Sequence, residues 1–407
     1  MKILHVYKRF YPDRYGGVER MIHQLVAATD RHGVRNVVLS IALDDPLVSD
    51  MPRGLHTIRC RQSFELASTP FSLQAAVRFR AVSRDFDLLH FHYPWPFGDV
   101  LATLRAGPLP YVVTYHSDIV RQKRLEALYA PLRDHFLGRA TAIAATSANY
   151  LASSATLQRL RHKVAVIPIG LDPAHYPALD FDRVDHWRGR LGKRFFLFVG
   201  VLRYYKGLHI LLQANARLDL PVVIVGAGPI EAQLRRQAAA LRLRNTWFLG
   251  PLAEVDKVAL LHLARALVFP SHLRSEAFGI SLLEGALYGK PLISSELGTG
   301  SSYVNIDGVT GIVVPPADPL MLRAALLRLW EDDALCATLG VQAHARFQHL
   351  FGVDRMAEGY LRLYRGALGA RVATVDAAAP MRAGREREEG SGRRDDPSAG
   401  LTWMSSS

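Results

Sequence analysis

Short apolar runs alternate with stretches of helical spacing along most of this chain, and this alternation limits its possible folds more than any other feature. An apolar run of about 4–8 residues is typical of a buried strand, and apolar residues three or four positions apart are typical of a helix. Strands that alternate with helices form parallel, doubly wound sheets, which bind ligands at the carboxyl ends of the strands. The sequence therefore predicts an α/β fold with strands near 2–7, 36–42, 87–92, 111–116, 142–146, 164–168, 195–199, 222–225, 247–250 and 264–270.

The chain is long enough for two domains, because 407 residues exceed a typical single core. A linker is predicted to begin near Gly170, which places one domain in residues 1–172 and the other in 173–350. Apolar residues at helical spacing predict a final helix in 351–369. The lack of periodic apolar residues predicts a disordered tail in 370–407.

The composition points to a cytoplasmic protein with an anionic ligand or surface. No apolar run approaches the length of a membrane span, and the first residues lack the apolar core and cleavage site of a signal peptide. A net charge of +13 and a pI near 9.9 favour anionic partners. Because the sequence has no zinc-finger spacing or aromatic RNA-binding pattern, we rank a diphosphate and anionic lipid above nucleic acid. Cys60 and Cys336 are too isolated to predict a disulfide or a zinc site.

One strand, loop, helix and strand unit carries the first candidate site. The strand 264–270 leads into a polar loop, Ser271 to Glu276, and apolar spacing predicts a helix from Ala277 onward. Glu276 would lie at the helix entrance and Glu284 eight positions later, about 80° away around the helix. Both carboxylates could then face one cleft, where a helix N-terminus suits a phosphate or a sugar hydroxyl. Ordinary capping and a solvated helix face stay open for these two glutamates.

Two basic residues and a glycine loop follow strands in the second half. Arg203 and Lys206 come after a predicted strand and before a helix, where two cations and free amides suit a diphosphate. A solvated basic loop is the alternative. Gly228 belongs to the start of a dinucleotide-binding fingerprint, but Glu231 occupies the position of its third glycine. A loop that helps to hold a nucleotide is therefore favoured, with an NAD site as the weaker alternative.

The first half supplies a glycine pair and several histidines. Gly16 and Gly17 stand between a strand and a helix, where backbone can approach a ligand closely, although a plain turn fits equally well. His116 ends a strand, at the edge where ligands collect in this architecture. His90 and His92 share one face of a strand. Because no third ligand lies nearby in the sequence, cleft lining or core is favoured there over a metal site.

A basic amphipathic helix is predicted over Ile119 to Arg139, with a kink at Pro131. The apolar residues of one face are Leu125, Leu128, Tyr129, Leu132 and Phe136, and the basic flanks are Arg121, Lys123, Arg124, Arg133 and Arg139. Such a helix can lie on an anionic membrane, where each basic residue contributes about 1 kcal/mol. Packing against the sheet is an equal alternative.

The segment E-A-F-G-I-S-L-L-E, residues 276–284, resembles the E-x7-E signature of retaining nucleotide-sugar glycosyltransferases of family four. That family has the GT-B fold, in which two Rossmann-like domains face a cleft. The segment P-L-I-S-S-E-L-G-T-G-S-S-Y-V-N, residues 291–305, resembles a bacterial subgroup that adds mannose or D-rhamnose from GDP-sugars to surface polysaccharides. The resemblance extends over roughly residues 1–368 and implies the same fold for this chain.

The resemblance also implies roles for the candidate residues. The motif G-V-L-R-Y-Y-K-G matches the family's phosphate-binding segment, which assigns Arg203 and Lys206 to the donor diphosphate. By the same resemblance Glu276 and His116 face the transferred sugar, and Glu284 binds the ribose hydroxyls. The further donor-binding residues that it implies are Gly16, Gly17, Gly228, Phe278, Gly279 and Ile280. The first domain would bind the acceptor, the second would bind the nucleotide sugar, and the last helix would cross back onto the first domain.

The implied reaction transfers mannose or D-rhamnose from a GDP-sugar to a lipid-linked saccharide with retention of configuration, and it needs no metal or other cofactor. The enzyme would act in lipopolysaccharide or O-antigen synthesis on the cytoplasmic face of the inner membrane, as a peripheral protein on an anionic surface. Guanine is favoured over uracil only by the segment 298–305, so a UDP-sugar donor stays open. An NAD-dependent enzyme and a non-catalytic sugar-binding protein are the alternatives from other classes.

Overall fold

The computed structural model describes residues 1–13, 16–43, 55–67, 69–105, 107–119 and 123–369, with the backbone alone for 123–126. These residues belong to one compact unit. The predicted tail 370–407 and Arg121 of the predicted basic helix lie outside the described residues, as do the side chains of Lys123, Arg124 and Leu125.

The first half of the chain folds into a seven-stranded parallel sheet and a small antiparallel hairpin. The strands are β1 Lys2–Val6, β2 Arg35–Ala42, β3 Thr57–Arg61, β4 Phe64–Leu66, β5 Thr69–Phe71, β6 Leu88–Tyr93, β7 Tyr111–Tyr115, β8 Ala142–Ala145 and β9 Val164–Val166. The sheet has the order β3-β2-β1-β6-β7-β8-β9, and β4 pairs with β5. Each strand predicted for this half is confirmed within two residues. The edge strand β3 escapes the prediction because T-I-R-C-R is not a continuous apolar run.

Helices cover this sheet, and the apolar faces of the helices explain their positions. They are α1 Gly17–Asp30, α2 Leu73–Val82, α3 Pro96–Thr103, α4 Lys123–Arg139, α5 Ala148–Ser153 and α6 Ala155–Arg159. Met21, Ile22 and Leu25 of α1 recur at helical spacing and are fully buried. The N-terminus of α2 is capped by Ser72, whose hydroxyl accepts a hydrogen bond from the Ala75 N–H.

The predicted basic helix is present as α4, but its apolar residues do not form one uniform face. Phe136 is buried, whereas Leu128 is 81% exposed. Arg133, predicted as a flank, is buried and forms an ion pair with Asp134. The end of the helix thus packs into the core while Leu128 faces solvent, so the structure leaves both predicted roles, core packing and a surface contact, to different parts of α4.

The second half of the chain forms a parallel sheet of six strands. The strands are β10 Phe196–Val199, β11 Val222–Val225, β12 Thr246–Gly250, β13 Ala266–Phe269, β14 Leu292–Ser295 and β15 Gly311–Val314. Their order, β12-β11-β10-β13-β14-β15, reverses direction between β10 and β13. A reversal of this kind opens a crevice outside the carboxyl ends of the two strands. The two sheets confirm the predicted α/β class with parallel, doubly wound sheets.

Helices also cover the second sheet on both faces. They are α7 Phe181–Leu191, α8 Leu208–Asn215, α9 Glu231–Ala240, α10 Glu254–Leu263, α11 Ile280–Leu287, α12 Ser301–Val304, α13 Pro319–Glu331 and α14 Asp333–Leu350. Strands β10, β11 and β13 are apolar and almost entirely buried, as expected for strands between two helical layers. Within the described part of the chain, no helix has the length and apolar character needed to cross a bilayer.

The final helix, α15 Val353–Ala367, follows the second sheet but packs against the first. The hydroxyl of Tyr364 lies 2.8 Å from Nδ1 of His90 on β6. The hydroxyl of Tyr360 lies 2.7 Å from Oγ1 of Thr114 on β7. Both tyrosines are fully buried, so this helix ties the end of the described chain to the first sheet.

We predict that Tyr360→Ala lowers the free energy of unfolding by about 3–5 kcal/mol, as expected for a buried aromatic side chain. Arg362→Ala is the control, because Arg362 lies on the exposed side of the same helix and should change stability by less than about 0.5 kcal/mol. Urea denaturation of both variants measures the difference. Equal, small effects would show that α15 is not docked on the first sheet.

Candidate functional site

The candidate site lies where the first turns of α1 and α11 approach each other. A Cβ atom on Gly17, the first residue of α1, would lie 3.5 Å from Cδ1 of Ile280, the first residue of α11. The N–H groups of Phe278, Gly279 and Ile280 donate to no protein acceptor among the described residues. Free amides at a helix N-terminus, as at the start of α11, attract negative charge. This edge therefore suits an anionic group such as a phosphate.

The predicted start of the helix at Ala277 is wrong, because α11 begins at Ile280. Gly279 has a φ of +97°, which lies in the left-handed region and interrupts the helix. Glu276 consequently lies in the loop, so the estimate of 80° between the two glutamates does not apply. The side chain of Phe278 is buried, with its ring 6.2 Å from that of Phe351, and so only the backbone of Phe278 is placed to meet a ligand.

Lys206 and Glu276 form an ion pair at the carboxyl ends of neighbouring strands β10 and β13. Ser271 donates a hydrogen bond of 3.1 Å to Oε2 of the same glutamate. The Lys206 ammonium also lies 4.8 Å from the centre of the Phe269 ring. The two side chains are only 13% and 11% exposed, so the pair is partly shielded from solvent. The structure thus brings together two of the predicted site residues.

Gly207 explains how the loop after β10 reaches the end of β13. Its φ of +71° favours glycine, and a Cβ atom at this position would lie only 1.8 Å from the carbonyl oxygen of Pro270. A side chain here would push the two loops apart. In the K-G pair of the sequence motif, Lys206 therefore supplies the cation, and Gly207 allows the close approach to Pro270 that brings this cation to Glu276.

Arg203 and Gly228 occupy different positions from the ion pair. The Arg203 side chain is exposed and makes no ion pair or hydrogen bond within the described residues. Gly228 packs against the backbone of the loop after β10, because a Cβ atom on Gly228 would lie 2.3 Å from the carbonyl oxygen of Leu202. The V-G-A-G-P segment, residues 225–229, thus supports the loop that carries Arg203. Glu231, which occupies the position of the fingerprint's third glycine, forms an ion pair with Arg235 on α9.

Glu284 is buried in a separate group of charges. Its Oε1 accepts hydrogen bonds from Arg20 of α1 at 2.6 Å, from Lys257 of α10 at 2.9 Å and from the hydroxyl of Tyr176 at 3.1 Å. Burial alone would raise the pKa of Glu284, but Lys257 and Arg20 outweigh it, so the pKa is lower than the ordinary value. Its Oε2 makes no hydrogen bond within the described residues. The structure does not bring Glu284 into contact with the Lys206–Glu276 pair.

The glycine pair is held by the first turn of α1. The Gly16 N–H donates a 3.1 Å hydrogen bond to Oε2 of Glu19, which is itself buried. A Cβ atom on Gly16 would lie 2.7 Å from that oxygen. This arrangement fixes the approach of Gly17 to Ile280 across the site.

His116 lies directly after β7 and is 5% exposed. Its Nε2 is 3.1 Å from Nδ1 of His92. Burial, with a smaller contribution from Lys8, lowers the pKa of His116 to about 3, so the imidazole is neutral near pH 7. His5, His90 and His92 lie together, with ligand atoms within 4.8 Å of one another. The sequence shows no third possible metal ligand near His90 and His92. The fold supplies one, His5, because β1 lies beside β6 in the sheet.

Several residues of the site were not predicted from the sequence. Glu284 is held by Arg20, Lys257 and Tyr176. Arg274 forms an ion pair of 3.3 Å with Asp118, which lies two residues after His116. Arg20 and Arg274 adjoin the recognised motifs, which is a usable signal. Lys257 and Tyr176 have no such signal, because only the packing of α10 and of the linker brings them to Glu284.

Two family profiles match the chain, one over each half. The profile described as Glycosyltransferase Family 4 matches residues 15–175. The profile described as Glycosyl transferases group 1 matches residues 185–346. The first therefore includes His116 and the glycine pair, and the second includes Arg203, Lys206, Glu276 and Glu284.

Two curated proteins are similar over most of their length. D-rhamnosyltransferase WbpZ of Pseudomonas aeruginosa is 52% identical over 86% of this chain and 92% of its own. O-antigen chain mannosyltransferase C of Escherichia coli is 48% identical over 89% of this chain and 98% of its own. Among solved structures, sucrose-phosphate synthase of Thermosynechococcus elongatus aligns with a TM-score of 0.76 at 22% identity, over 89% of this chain and 98% of that one. This structural likeness concerns the two-domain fold.

We predict that Lys257→Met lowers the free energy of unfolding by about 1.5–3 kcal/mol at pH 7, the range for a hydrogen bond to a charged group, because Arg20 still pairs with Glu284. In the double variant Lys257→Met with Glu284→Gln, the loss should be smaller than the sum of the two single losses. Lys193→Met, which removes an exposed lysine, is the control. Urea denaturation gives all four values, and strict additivity would contradict the contact.

The same measurements have an expected pH dependence. Because the folded-state pKa of Glu284 is below its ordinary value of 4.5, the stabilisation that the Glu284 carboxylate contributes is complete above that value and is lost as the pH falls through the lowered pKa. The stability difference between the unmodified protein and Lys257→Met should therefore shrink in strongly acidic solution.

Proposed function

We propose a specific reaction for this chain, which belongs to the family 4 glycosyltransferases: it transfers mannose or D-rhamnose from a GDP-sugar to a lipid-linked saccharide of O-antigen synthesis. The single observation that carries the choice of sugar is the identity of 52% and 48%, over most of the chain, to a D-rhamnosyltransferase and an O-antigen mannosyltransferase. D-rhamnose is a deoxy-mannose, so both sugars have the same ring configuration. Matching profiles over both halves favour a nucleotide-sugar enzyme over an NAD-dependent enzyme or a non-catalytic binding protein.

The negative charge that develops on the leaving diphosphate needs positive partners. Lys206, Arg203 and the free amides of residues 278–280 supply them at one edge of the second sheet. Fixed charges and dipoles aimed at a developing charge are often the largest single contribution to catalysis. We therefore assign leaving-group stabilisation to these groups and propose that the reaction needs no metal ion.

The transferred sugar would lie between the two sheets. Glu276 contacts Lys206, as expected for groups that bind adjacent parts of one donor molecule. Glu276 is therefore assigned to the sugar hydroxyls. His116 is assigned to the same sugar from the first domain, where its low pKa makes it a hydrogen-bonding group and not a general acid at neutral pH.

Glu284 is assigned to the ribose hydroxyls of the nucleotide. Arg20, Lys257 and Tyr176 all contact Oε1, which keeps the group a carboxylate and fixes its orientation. Oε2 then remains as an acceptor for a hydroxyl. Gly16 and Gly17 would face the donor from the first domain, next to Ile280.

Retention of the anomeric configuration follows from attack on the face that the diphosphate leaves. A double displacement would need a carboxylate at the anomeric carbon. Glu276, the acid nearest the donor in this proposal, is occupied by Lys206 and Ser271. Attack guided by the departing diphosphate is therefore the mechanism we propose.

The acceptor lipid would bring the enzyme to the cytoplasmic face of the inner membrane. Leu128 of α4 is 81% exposed, and Arg139 at the end of the same helix is also exposed. An exposed apolar side chain and an exposed arginine on one helix suit the surface of an anionic membrane. The buried end of α4, with Phe136, packs into the core of the first half of the chain, which was the alternative role for this helix.

A panel of GDP-mannose, GDP-D-rhamnose, UDP-glucose and UDP-galactose tests the donor, with release of the nucleoside diphosphate as the readout. We predict turnover with the GDP-sugars, an α-configured product by NMR, and unchanged rates in EDTA. Turnover with UDP-sugars alone would overturn the choice of base. An inverted anomer would overturn the retaining mechanism, and loss of activity in EDTA that added metal restores would overturn metal independence.

The same assay tests Lys206. Lys206→Ala should lower turnover by about 100- to 1,000-fold while the circular dichroism spectrum is unchanged, because one stabilising partner of the leaving group is lost. Lys193→Ala, the loss of an exposed lysine, should leave turnover close to that of the unmodified enzyme. Similar rates for the two variants would remove Lys206 from the site.

Membrane association can be tested with the exposed part of α4. We predict that Leu128→Glu with Arg139→Glu weakens co-sedimentation with vesicles of phosphatidylglycerol and phosphatidylethanolamine. Leu128→Glu alone should lose part of the binding, and Arg236→Glu on α9 is the control for the charge change, since Arg236 is exposed in the second domain. Equal losses for Arg139→Glu and Arg236→Glu would assign the effect to net charge and not to α4.

A further inference from the structure

A row of buried polar side chains crosses the first sheet and ends at His116. Asn36 lies on β2, His5 on β1, His92 on β6 and His116 directly after β7, and these four strands are neighbours in the sheet. Nε2 of His5 is 3.1 Å from Oδ1 of Asn36, and Nδ1 of His5 is 3.2 Å from Nε2 of His92. Nδ1 of His92 is 3.1 Å from Nε2 of His116. One continuous chain of hydrogen bonds therefore joins Asn36 to His116.

The surroundings of Asn36 fix the direction of this chain. Its Nδ2 lies 2.7 Å from a carboxylate oxygen of Asp30 and 3.0 Å from the hydroxyl oxygen of Thr29. The Asp30 oxygen accepts only, and the Thr29 hydroxyl already donates to the carbonyl of Leu25. The amide must therefore point Nδ2 toward these groups and its carbonyl oxygen toward His5.

The tautomer of each histidine follows from that orientation. His5 must carry its proton on Nε2, because Oδ1 of Asn36 can only accept. A neutral His5 then accepts at Nδ1 from Nε2–H of His92. His92 in turn accepts at Nδ1 from Nε2–H of His116. Burial keeps the rings neutral, since it lowers the pKa of His5 to about 4 and that of His92 well below the ordinary value.

The far nitrogen of the chain is available to a ligand. Nδ1 of His116 has no hydrogen-bond partner within the described residues, and it is not one of the buried polar atoms that lack a partner. Solvent therefore reaches an imidazole nitrogen that, in this tautomer, carries a lone pair and no proton. Because each ring donates toward Asn36, the hydrogen bonds also reinforce one another and strengthen the acceptor at the open end.

We propose that Asn36, His5 and His92 are positioning residues that hold His116 in its Nε2–H tautomer, so that Nδ1 accepts a hydrogen bond from a hydroxyl of the transferred sugar. The inference rests on the proposed function, in which His116 faces that sugar. It adds that His116 acts only as an acceptor, and that a residue three strands away determines this property.

A metal ion among His5, His90 and His92 is the competing explanation, because these rings cluster. However, both ring nitrogens of His90 are engaged, at 2.7 Å from Thr114 and 2.8 Å from Tyr364. Both nitrogens of His5 are engaged as well. A metal ion would have to displace several of these hydrogen bonds. The row of hydrogen bonds, in contrast, satisfies every ring nitrogen of His5, His92 and His116 except Nδ1 of His116.

The test is 15N NMR of the full chain labelled at histidine, recorded without donor. Long-range correlations between ring nitrogens and ring protons distinguish the two tautomers, and His116→Gln assigns the signal of His116. We expect Nε2–H for His5, His92 and His116. His92→Phe should release His116 into a mixture of tautomers and lower kcat/KM by about tenfold, the effect of one ordinary hydrogen bond.

Two further variants separate this role from simple packing. His92→Gln should restore the His116 signal and part of the activity, because an amide can accept from His116 and donate to His5. His90→Gln is the matched control, since His90 is equally buried and lies beside His92 but outside the row, and it should leave the His116 signal unchanged.

Three results would overturn the inference: an Nδ1–H tautomer at His116 in the unmodified protein, an unchanged His116 signal in His92→Phe, or stoichiometric metal in the purified protein that His90→Gln removes. Because the spectra need no donor, they remain decisive if the donor proves to be another nucleotide sugar. An active enzyme with the wrong donor would thus count against the proposed function alone.

Discussion

The site depends on buried carboxylates that are each paired with a cation from a different element. A carboxylate without a partner is expensive to bury, so its partners must be in place when the protein folds. Glu276 meets Lys206 between the loops after β10 and β13, and Glu284 meets Arg20 and Lys257 between α1, α10 and α11. The second contact joins the two halves of the chain, because Arg20 belongs to the first half and Glu284 to the second.

These pairs hold the charged groups of the candidate site in fixed positions. The amides at the start of α11 have no intrahelical acceptor, as at any helix N-terminus, and the left-handed Gly279 places that N-terminus after Glu276. Gly207 allows the loop after β10 to lie against Pro270, which holds Lys206 beside Glu276. Groups fixed in this way need little reorganisation, which is the condition for the electrostatic stabilisation of a leaving diphosphate that we propose for them.

The first sheet contributes a polar core of a different kind. Its central strands carry histidines where an apolar residue would normally pack, and every buried ring is hydrogen-bonded to a neighbour, to Asn36, to Thr114 or to a tyrosine of α15. Such a core is stable only when all of its members are satisfied. The return of α15 to this sheet is part of that condition, since Tyr364 supplies one of the partners of His90.

The sequence by itself determined the α/β class, most of the strands of both sheets, and the motifs that carry Lys206, Glu276 and Glu284, because strand and helix periodicity and the E-x7-E spacing are local properties. It did not determine where α11 begins, since a left-handed glycine overrode the apolar spacing. Nor did it determine that Lys257 meets Glu284, or that His5 meets His92, 87 residues away. Only the tertiary structure decided these contacts, because the strand order places β1 beside β6, and packing between elements is not encoded in the spacing of residues along the chain.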